Sequence, residues 1–495
     1  MPANLNILNM KKTYLTLLAL CGLCTTVSAD DWMEPLPDAT YVSVLSIPGT
    51  HDTATNKDMS LASFSQTQDI DIATQWSIGI RAFDMRPKVS GDHLAIYHGI
   101  ADTKVRFDDA LYQLRDSLIK SPSEFAIIHL LYADNYDKEK DSYNTMLHEL
   151  TGRDDLKDFF IDFRPDLTVG DMRGKILLLS RNTYDTTPIG GFFKNWCGWI
   201  DWNSQTNGQI IGPNGALGKL YMQDLADTHE SGKLEEKMNA IKTMLDFSTQ
   251  HQTLSESSIV WVYNFASAYS KVMLGSISTA DGYRDNAAHT NATIIDYLDT
   301  HEAGPTGIIL MDYAGVDESN GYQTRGKELV EKIIANNFKY LKKETAEDRA
   351  LYKKYQEVMA RIEELKDLRT STYNTIRKEC KDVYKEFTSD LNSIRSQLTK
   401  LGTDTKNAYE AGEFTMDYPF DGDAIENELN AILQRAKARQ KEYEDFVAGI
   451  ESTKTTPSGI SYRIYSITGE LLDAPRRGAI NIFKYSDGTV RKIQY

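Results

Sequence analysis

Between about residues 38 and 341, short apolar runs rich in β-branched side chains alternate with stretches whose apolar positions recur every three or four residues. Runs of the first kind predict buried strands, and those of the second predict helices with one core-facing stripe. Strands are expected at 42–46, 80–84, 125–131, 175–179, 258–263 and 307–312, with helices between them, for instance at 107–119 and 232–249. This alternation predicts an α/β fold with a parallel sheet wrapped by helices, and the length suits a (β/α) barrel. Six clear strands, where such a barrel has eight, leave barrel and open sheet both standing.

Past residue 341 the pattern changes. Leu351, Tyr355, Val358, Ile362 and Leu365 begin a rhythm that continues through Ile376, Cys380, Val383, Phe387, Leu391, Ile394, Leu398 and Leu401. It predicts one long amphipathic helix with a coiled-coil seam. Gly402, Gly412, Pro419 and Gly422 interrupt it, and a second helix follows, with Ile425, Leu429, Ile432, Ala436, Tyr443, Phe446 and Ile450 on one face. The two read as an antiparallel hairpin whose charged faces are solvated. Short strands at 461–466, 480–485 and 489–494 form a small β-module. The expected organisation is a leader over 1–29, an α/β domain over 30–342, a helical hairpin over 343–455 and the β-module over 456–495.

Composition narrows the function. Lys11-Lys12, the apolar run 15–23 and the small residues Val27-Ser28-Ala29 form a processing signal before Asp30, with Met10 as the expected start. The mature protein is therefore expected to be secreted, periplasmic or on the cell surface. Loss of the leader takes the formal charge from −16 to −18 by removing Lys11 and Lys12. Such acidity excludes nucleic acid as a partner and gives no bulk attraction to anionic membranes. Cys21 and Cys24 have redox spacing but lie in the leader. Cys197 and Cys380 fall in different domains, so neither a disulfide framework nor a zinc site is expected.

The chemistry gathers at strand ends. His51-Asp52 follow the first strand through the turn Pro48-Gly49, Arg86 ends the second and Asp312 the last. In a barrel these are the carboxyl ends, where active sites lie. Asp84 and Arg86 are two apart in an extended segment and share a face, while Phe83 and Met85 point the other way. Residues 86–98 form a hairpin. A three-residue turn at 91–93, the preferred register, pairs Arg86 with His98, and a two-residue turn puts Tyr97 opposite Arg86 instead.

Four segments carry a family resemblance in their order and spacing: 46–52, Gly79 to Arg86, Tyr97-His98-Gly99, and Ile308 to Tyr313. Together they resemble the metal-independent, bacterial phosphatidylinositol-specific phospholipases C, over roughly residues 38–341. The resemblance implies a distorted TIM-type barrel and no metal or other cofactor. It implies cleavage of phosphatidylinositol, or a glycosylphosphatidylinositol, to diacylglycerol and inositol 1,2-cyclic phosphate. His51 would then be the general base, with Asp312 holding its imidazole. His98, assisted by Asp52, would be the general acid, and Arg86 beside Asp84 would bind the phosphoryl oxygens. Arg181 and Asp224 would grip the sugar. The other histidines (His93, His129, His148, His229, His251, His289 and His301) match none of these motifs and are expected to be structural or exposed.

Departures from the family concern the sugar side. Ala226 stands where the family has a tyrosine against the ring, and 131–134 lack a family lysine. The aromatic stretch 196–202 is either a replacement stacking surface or a packed insertion. The resemblance also implies an apolar rim for peripheral membrane contact, at Met59, Leu61 and Phe64 and at Val272, Met273, Leu274 and Ile277. The β-module is similar to terminal sorting modules of type IX secretion, a small accessory domain being the alternative. Two other functions compete: a metal-dependent glycerophosphodiesterase, and a non-catalytic surface protein that binds glycolipid.

Overall fold

The first strand starts later than its apolar run. Residues Val42–Val44 form a short 3-10 turn, and β1 (Ser46–Thr50) runs straight through Pro48 and Gly49. Pro48 is tolerated because pairing with the next strand begins only at Gly49↔Ala82, so its missing N–H interrupts no ladder on that side. Gly49 is required by space, since a Cβ there would lie 2.6 Å from Leu310 and 2.8 Å from Ala82. The sharp turn comes afterwards, at Asp52, whose φ of 42° lies in the left-handed region.

The computed structural model describes residues 29–182, 189–194, 196, 208–250, 259–274, 277–342, 344–453 and 461–494, without the side chains of 214, 250, 271–281, 446 and 448–453. The leader with Cys21 and Cys24, Cys197, His251, and Trp199 and Trp202 of the aromatic stretch lie outside the described residues. So do the side chains of Val272, Met273, Leu274 and Ile277. The described chain forms two compact units, Met1–Thr345 and Ala346–Tyr495.

In the first unit, β1 is followed by β2 (Ala82–Met85), β3 (Pro87–Ser90), β4 (His93–His98), β5 (Ala101–Arg106), β6 (Ala126–Leu130), β7 (Phe160–Ile161) and β8 (Ile176–Ser180). Next come β9 (Gly191–Lys194), β10 (Gly208–Ile211), β11 (Leu217–Gln223), β12 (Val260–Phe265), β13 (Ser270–Leu274), β14 (Ile277–Asp281) and β15 (Gly307–Met311). Neighbours run β6–β2–β1–β15–β12–β11–β10–β9–β8, and β8 pairs back onto β6. The result is a closed, nine-stranded mixed barrel, parallel except that β10 runs against both its neighbours. Closure decides between the two sheet forms left open by the sequence. β9, β10 and β11 had no counterpart among the expected strands.

Strand alternation divides the core. Phe83, Met85, Ala126, Ile128, Leu130, Ile309 and Met311 pack outward with the helices. Ile47, Ala82, Ile127, Leu177, Leu179, Ile308 and Leu310 fill the interior. Both faces are buried, so these strands read as continuous apolar runs rather than alternating ones. By the same parity Asp84 and Asp312 point inward at the carboxyl ends of β2 and β15.

The second unit differs from the expected two-helix hairpin. The rhythm read as one helix belongs to two, Ala346–Glu379 and Thr388–Glu410, followed by Gly422–Thr453. Cys380, Val383 and Phe387 lie in the break yet stay in the shared core, so the apolar spacing carries no mark of it. Gln440 from the third helix bonds the break at Asp382, through its backbone N–H (3.3 Å) and its carboxylate (2.7 Å). The last strands, β16 (Tyr462–Ser466), β17 (Leu471–Leu472), β18 (Ile480–Tyr485) and β19 (Val490–Gln494), form an antiparallel sheet over Tyr462, Ile464 and Phe483. No helix among the described residues is long and apolar enough to cross a membrane.

Candidate active site

Five of the candidate residues converge at the carboxyl ends of β1, β2 and β15. His51 Nδ1 lies 2.9 Å from Asp312 Oδ1. Its Nε2 lies between Asp52 Oδ2, at 3.2 Å, and Arg86 Nη2, at 3.0 Å. A protonated Nε2 has the Asp52 carboxylate beside it as a counter-charge, and a bare Nε2 accepts from Arg86. Burial opposes charge on the ring, but Asp52 and Asp312 together outweigh it and push the pKa of His51 up to about 9.

Arg86 is held by carboxylates. Its Nε is 2.8 Å from Asp52 Oδ1, and its Nη2 is 3.2 Å from Asp84 Oδ2. Asp84 also accepts from the Asp52 backbone N–H at 3.2 Å, which fixes the left-handed turn. Burial would raise the Asp84 pKa, but Arg86, with His51, outweighs it and holds the group well below the usual carboxylate range. Asp312 moves the other way: burial raises it more than His51 lowers it. His51, Asp52 and Asp84 place ligand-type atoms within 4.8 Å of one another, a spacing a cation could use. The guanidinium of Arg86 already supplies positive charge between the two carboxylates.

His98 comes from the hairpin β3–β4, whose register corrects the preferred one. Ser90 pairs with His93 and Pro87 with Ile96, so the turn has two residues, and Tyr97 lies opposite Arg86 with its N–H donating to the Arg86 carbonyl at 3.0 Å. Gly91 at φ 65° occupies the first central position, the II′ pattern that suits a two-residue loop. His98 still reaches the site. Its Nδ1 donates to the Ser65 carbonyl at 2.9 Å, and its Nε2 lies 3.4 Å from Asp52 Oδ2. Asp52 thus touches both histidines and the arginine.

The sugar-side candidates lie together. Arg181, just beyond β8, stacks on Trp196 at 4.2 Å and comes within 3.9 Å of Asp224. Trp196 donates to Asp224 at 3.3 Å. It also packs against His129 and Phe193, at 5.0 and 4.9 Å between ring centres. His129 is buried among aromatic rings, and burial pushes its pKa down to about 3, so it stays neutral.

Three supporting residues escape sequence reading. Gln68 is buried and donates to the carbonyls of both His51 and Met311, at 2.9 Å each, locking β1 to β15. Thr67 donates to the His51 carbonyl at 3.0 Å. Tyr283, with 5% exposure, sets its ring edge-on to His98 at 6.0 Å. No local pattern marks these positions, because each meets the site through contacts distant in sequence. On the expected rim, Leu61 and Phe64 are exposed, whereas Met59 is buried and does not belong to it.

No protein-family model matches the chain. Among characterised proteins it is similar to the 1-phosphatidylinositol phosphodiesterase of Staphylococcus aureus (strain Newman), with 27% identity over 326 residues, covering 63% of this chain and 95% of the relative. It is also similar to the enzyme of the same name from Listeria monocytogenes, with 36% identity over 167 residues, 32% of this chain and 50% of the relative. A solved structure of a double mutant of the S. aureus phosphatidylinositol-specific phospholipase C aligns with a TM-score of 0.50 and 23% identity, over 62% of this chain and 97% of that one, and shares the barrel.

Proposed function

We propose that this chain, a homologue of the bacterial phosphatidylinositol-specific phospholipases C, cleaves phosphatidylinositol or a related inositol phospholipid to diacylglycerol and inositol 1,2-cyclic phosphate. The observation that carries the reading is the convergence of His51, Asp52, Arg86, His98 and Asp312 on one strand-end cluster. A metal-free phosphodiester cleavage needs a base, an acid and a cation, and this cluster contains one of each.

His51 takes the proton of the inositol 2-hydroxyl at Nε2 while its Nδ1–H stays on Asp312. The carboxylate fixes the tautomer and stabilises the imidazolium. The freed oxygen attacks the neighbouring phosphorus. Arg86 steadies the charge on the phosphoryl oxygens, as a planar, permanently charged donor suited to phosphate. His98, its Nδ1–H held by Ser65, gives its Nε2 proton to the departing glycerol oxygen. Hydrolysis of the cyclic product runs the two histidines in reverse. Arg181 and Asp224 hold the headgroup hydroxyls, with Trp196 as the aromatic wall in place of the tyrosine missing at Ala226.

We assign this chemistry to residues 30–342 and none to the helical hairpin region or the β-module. The leader-like residues 1–29 support export, and Leu61 and Phe64 support transient contact with a lipid surface. The test is substitution. His51→Ala and His98→Ala should each abolish most turnover, while His148→Ala and His289→Ala should leave it intact. Full activity in either of the first two variants would refute the assignment.

A further inference from the structure

Arg86 has little left to give a substrate. Its Nε lies against Asp52 as an ion pair, and its Nη2 faces both Asp84 and His51, which leaves Nη1 as the nitrogen with no carboxylate or histidine against it among the described residues. Three carboxylates, Asp52, Asp84 and Asp312, surround the place a phosphodiester anion must enter. One guanidinium nitrogen beside three anions is a thin welcome for a fourth, so a further donor is needed.

Tyr283 meets that need. It opens the helix Tyr283–Thr300 directly after Gly282, whose φ of 76° lies in the left-handed region. Its ring is fixed edge-on against His98, and Tyr269 packs beside it at 6.4 Å. It is 95% buried, yet its hydroxyl makes no hydrogen bond among the described residues. That hydroxyl is not among the fully enclosed polar atoms, so it remains open to a ligand at the site. Burial first, then Asp52 and Asp312, push its pKa well above the usual tyrosine value, with Arg86 opposing. The group therefore stays protonated, and it lies within electrostatic range of the carboxylates and guanidinium of the site.

We propose that Tyr283 is a catalytic residue whose hydroxyl donates a hydrogen bond to a non-bridging phosphoryl oxygen of the substrate, complementing Arg86. The assignment rests on the phosphodiesterase reading and adds a residue to it. Tyr283 neither takes nor gives a proton. It offers a neutral donor where a second cation would bind Asp52 or Asp312 instead.

Tyr283→Phe removes the hydroxyl and keeps the ring against His98, so the general acid stays in place. Two measurements decide the matter. The first is kcat and KM on phosphatidylinositol and on its two phosphorothioate diastereomers. A lost hydrogen bond to a charged acceptor predicts a kcat lower by about 10- to 100-fold with little change in KM. The penalty for sulfur in one diastereomer should also shrink in the variant, because sulfur at that oxygen already forfeits the bond in the parent. The second is calorimetric binding of myo-inositol 1-phosphate, expected to be about tenfold weaker in the variant. Parent-like turnover with unchanged sulfur penalties, or equal binding, would overturn the proposal. A parent protein that leaves phosphatidylinositol intact would sink the functional reading instead, while the binding comparison would still decide Tyr283.

Discussion

His51 makes the stability of the barrel unit depend on pH with a defined sign. Its pKa rises from 6.5 to about 9 on folding, because Asp52 and Asp312 favour the imidazolium more than burial opposes it. A group whose folded pKa is raised contributes stability that is fully present below the unfolded pKa and lost as pH climbs through the folded one. The window therefore runs from 6.5 to about 9. A shift of that size corresponds to about 3 kcal/mol, at about 1.4 kcal/mol per unit. All six tryptophans precede Thr345, so tryptophan fluorescence follows the first compact unit alone. Urea titrations at either end of the window should show the protein losing about 3 kcal/mol more than His51→Gln does. Equal losses in the two proteins would refute the claim that the carboxylates charge this ring. The same pKa governs activity: a general base must be unprotonated, so kcat/KM should rise with pH toward about 9.

Arg86→Lys should be poorly active, because a point charge cannot replace a planar donor held by two carboxylates; activity near the parent's would contradict the role. Strong chelation should leave cleavage unaffected and added calcium should not aid it, whereas a tenfold calcium stimulation would point to a cation on His51, Asp52 and Asp84. Leu61→Ser with Phe64→Ser should slow cleavage of lipid in vesicles but spare soluble cyclic inositol phosphate, since both side chains are exposed and each buried apolar side chain is worth about 1.5–3 kcal/mol at an interface. Equal loss on both substrates would show that they hold the fold.

How far the sequence could be read depended on how local each feature is. The shared face of Asp84 and Arg86 follows from two-residue alternation in an extended segment, and position along the strands placed His51, Arg86 and Asp312 at one end of the sheet. The first strand was displaced because Pro48-Gly49 reads as a turn. Only the packing of Gly49 against Leu310 and Ala82 shows why the pair belongs inside the ladder. β11 was hidden by Gly218 and Lys219, which dilute its apolar pattern. Gly218 is there because a Cβ would lie 2.6 Å from the Phe163 ring. The register of the β3–β4 hairpin turned on one residue of turn length, which its alternation alone does not set. Gln68, Thr67 and Tyr283 were invisible for a different reason: each acts through a contact with a segment distant in the chain.

The proposed chemistry of this cluster is an intramolecular phosphoryl transfer. Incubation of the protein with phosphatidylinositol in the presence of a chelator, followed by phosphorus NMR, tests it most directly. The lipid phosphodiester signal should give way first to that of a five-membered cyclic inositol phosphate, and only later to inositol 1-phosphate. Direct appearance of an acyclic phosphate without the cyclic species, or no reaction until a divalent metal is supplied, would contradict it.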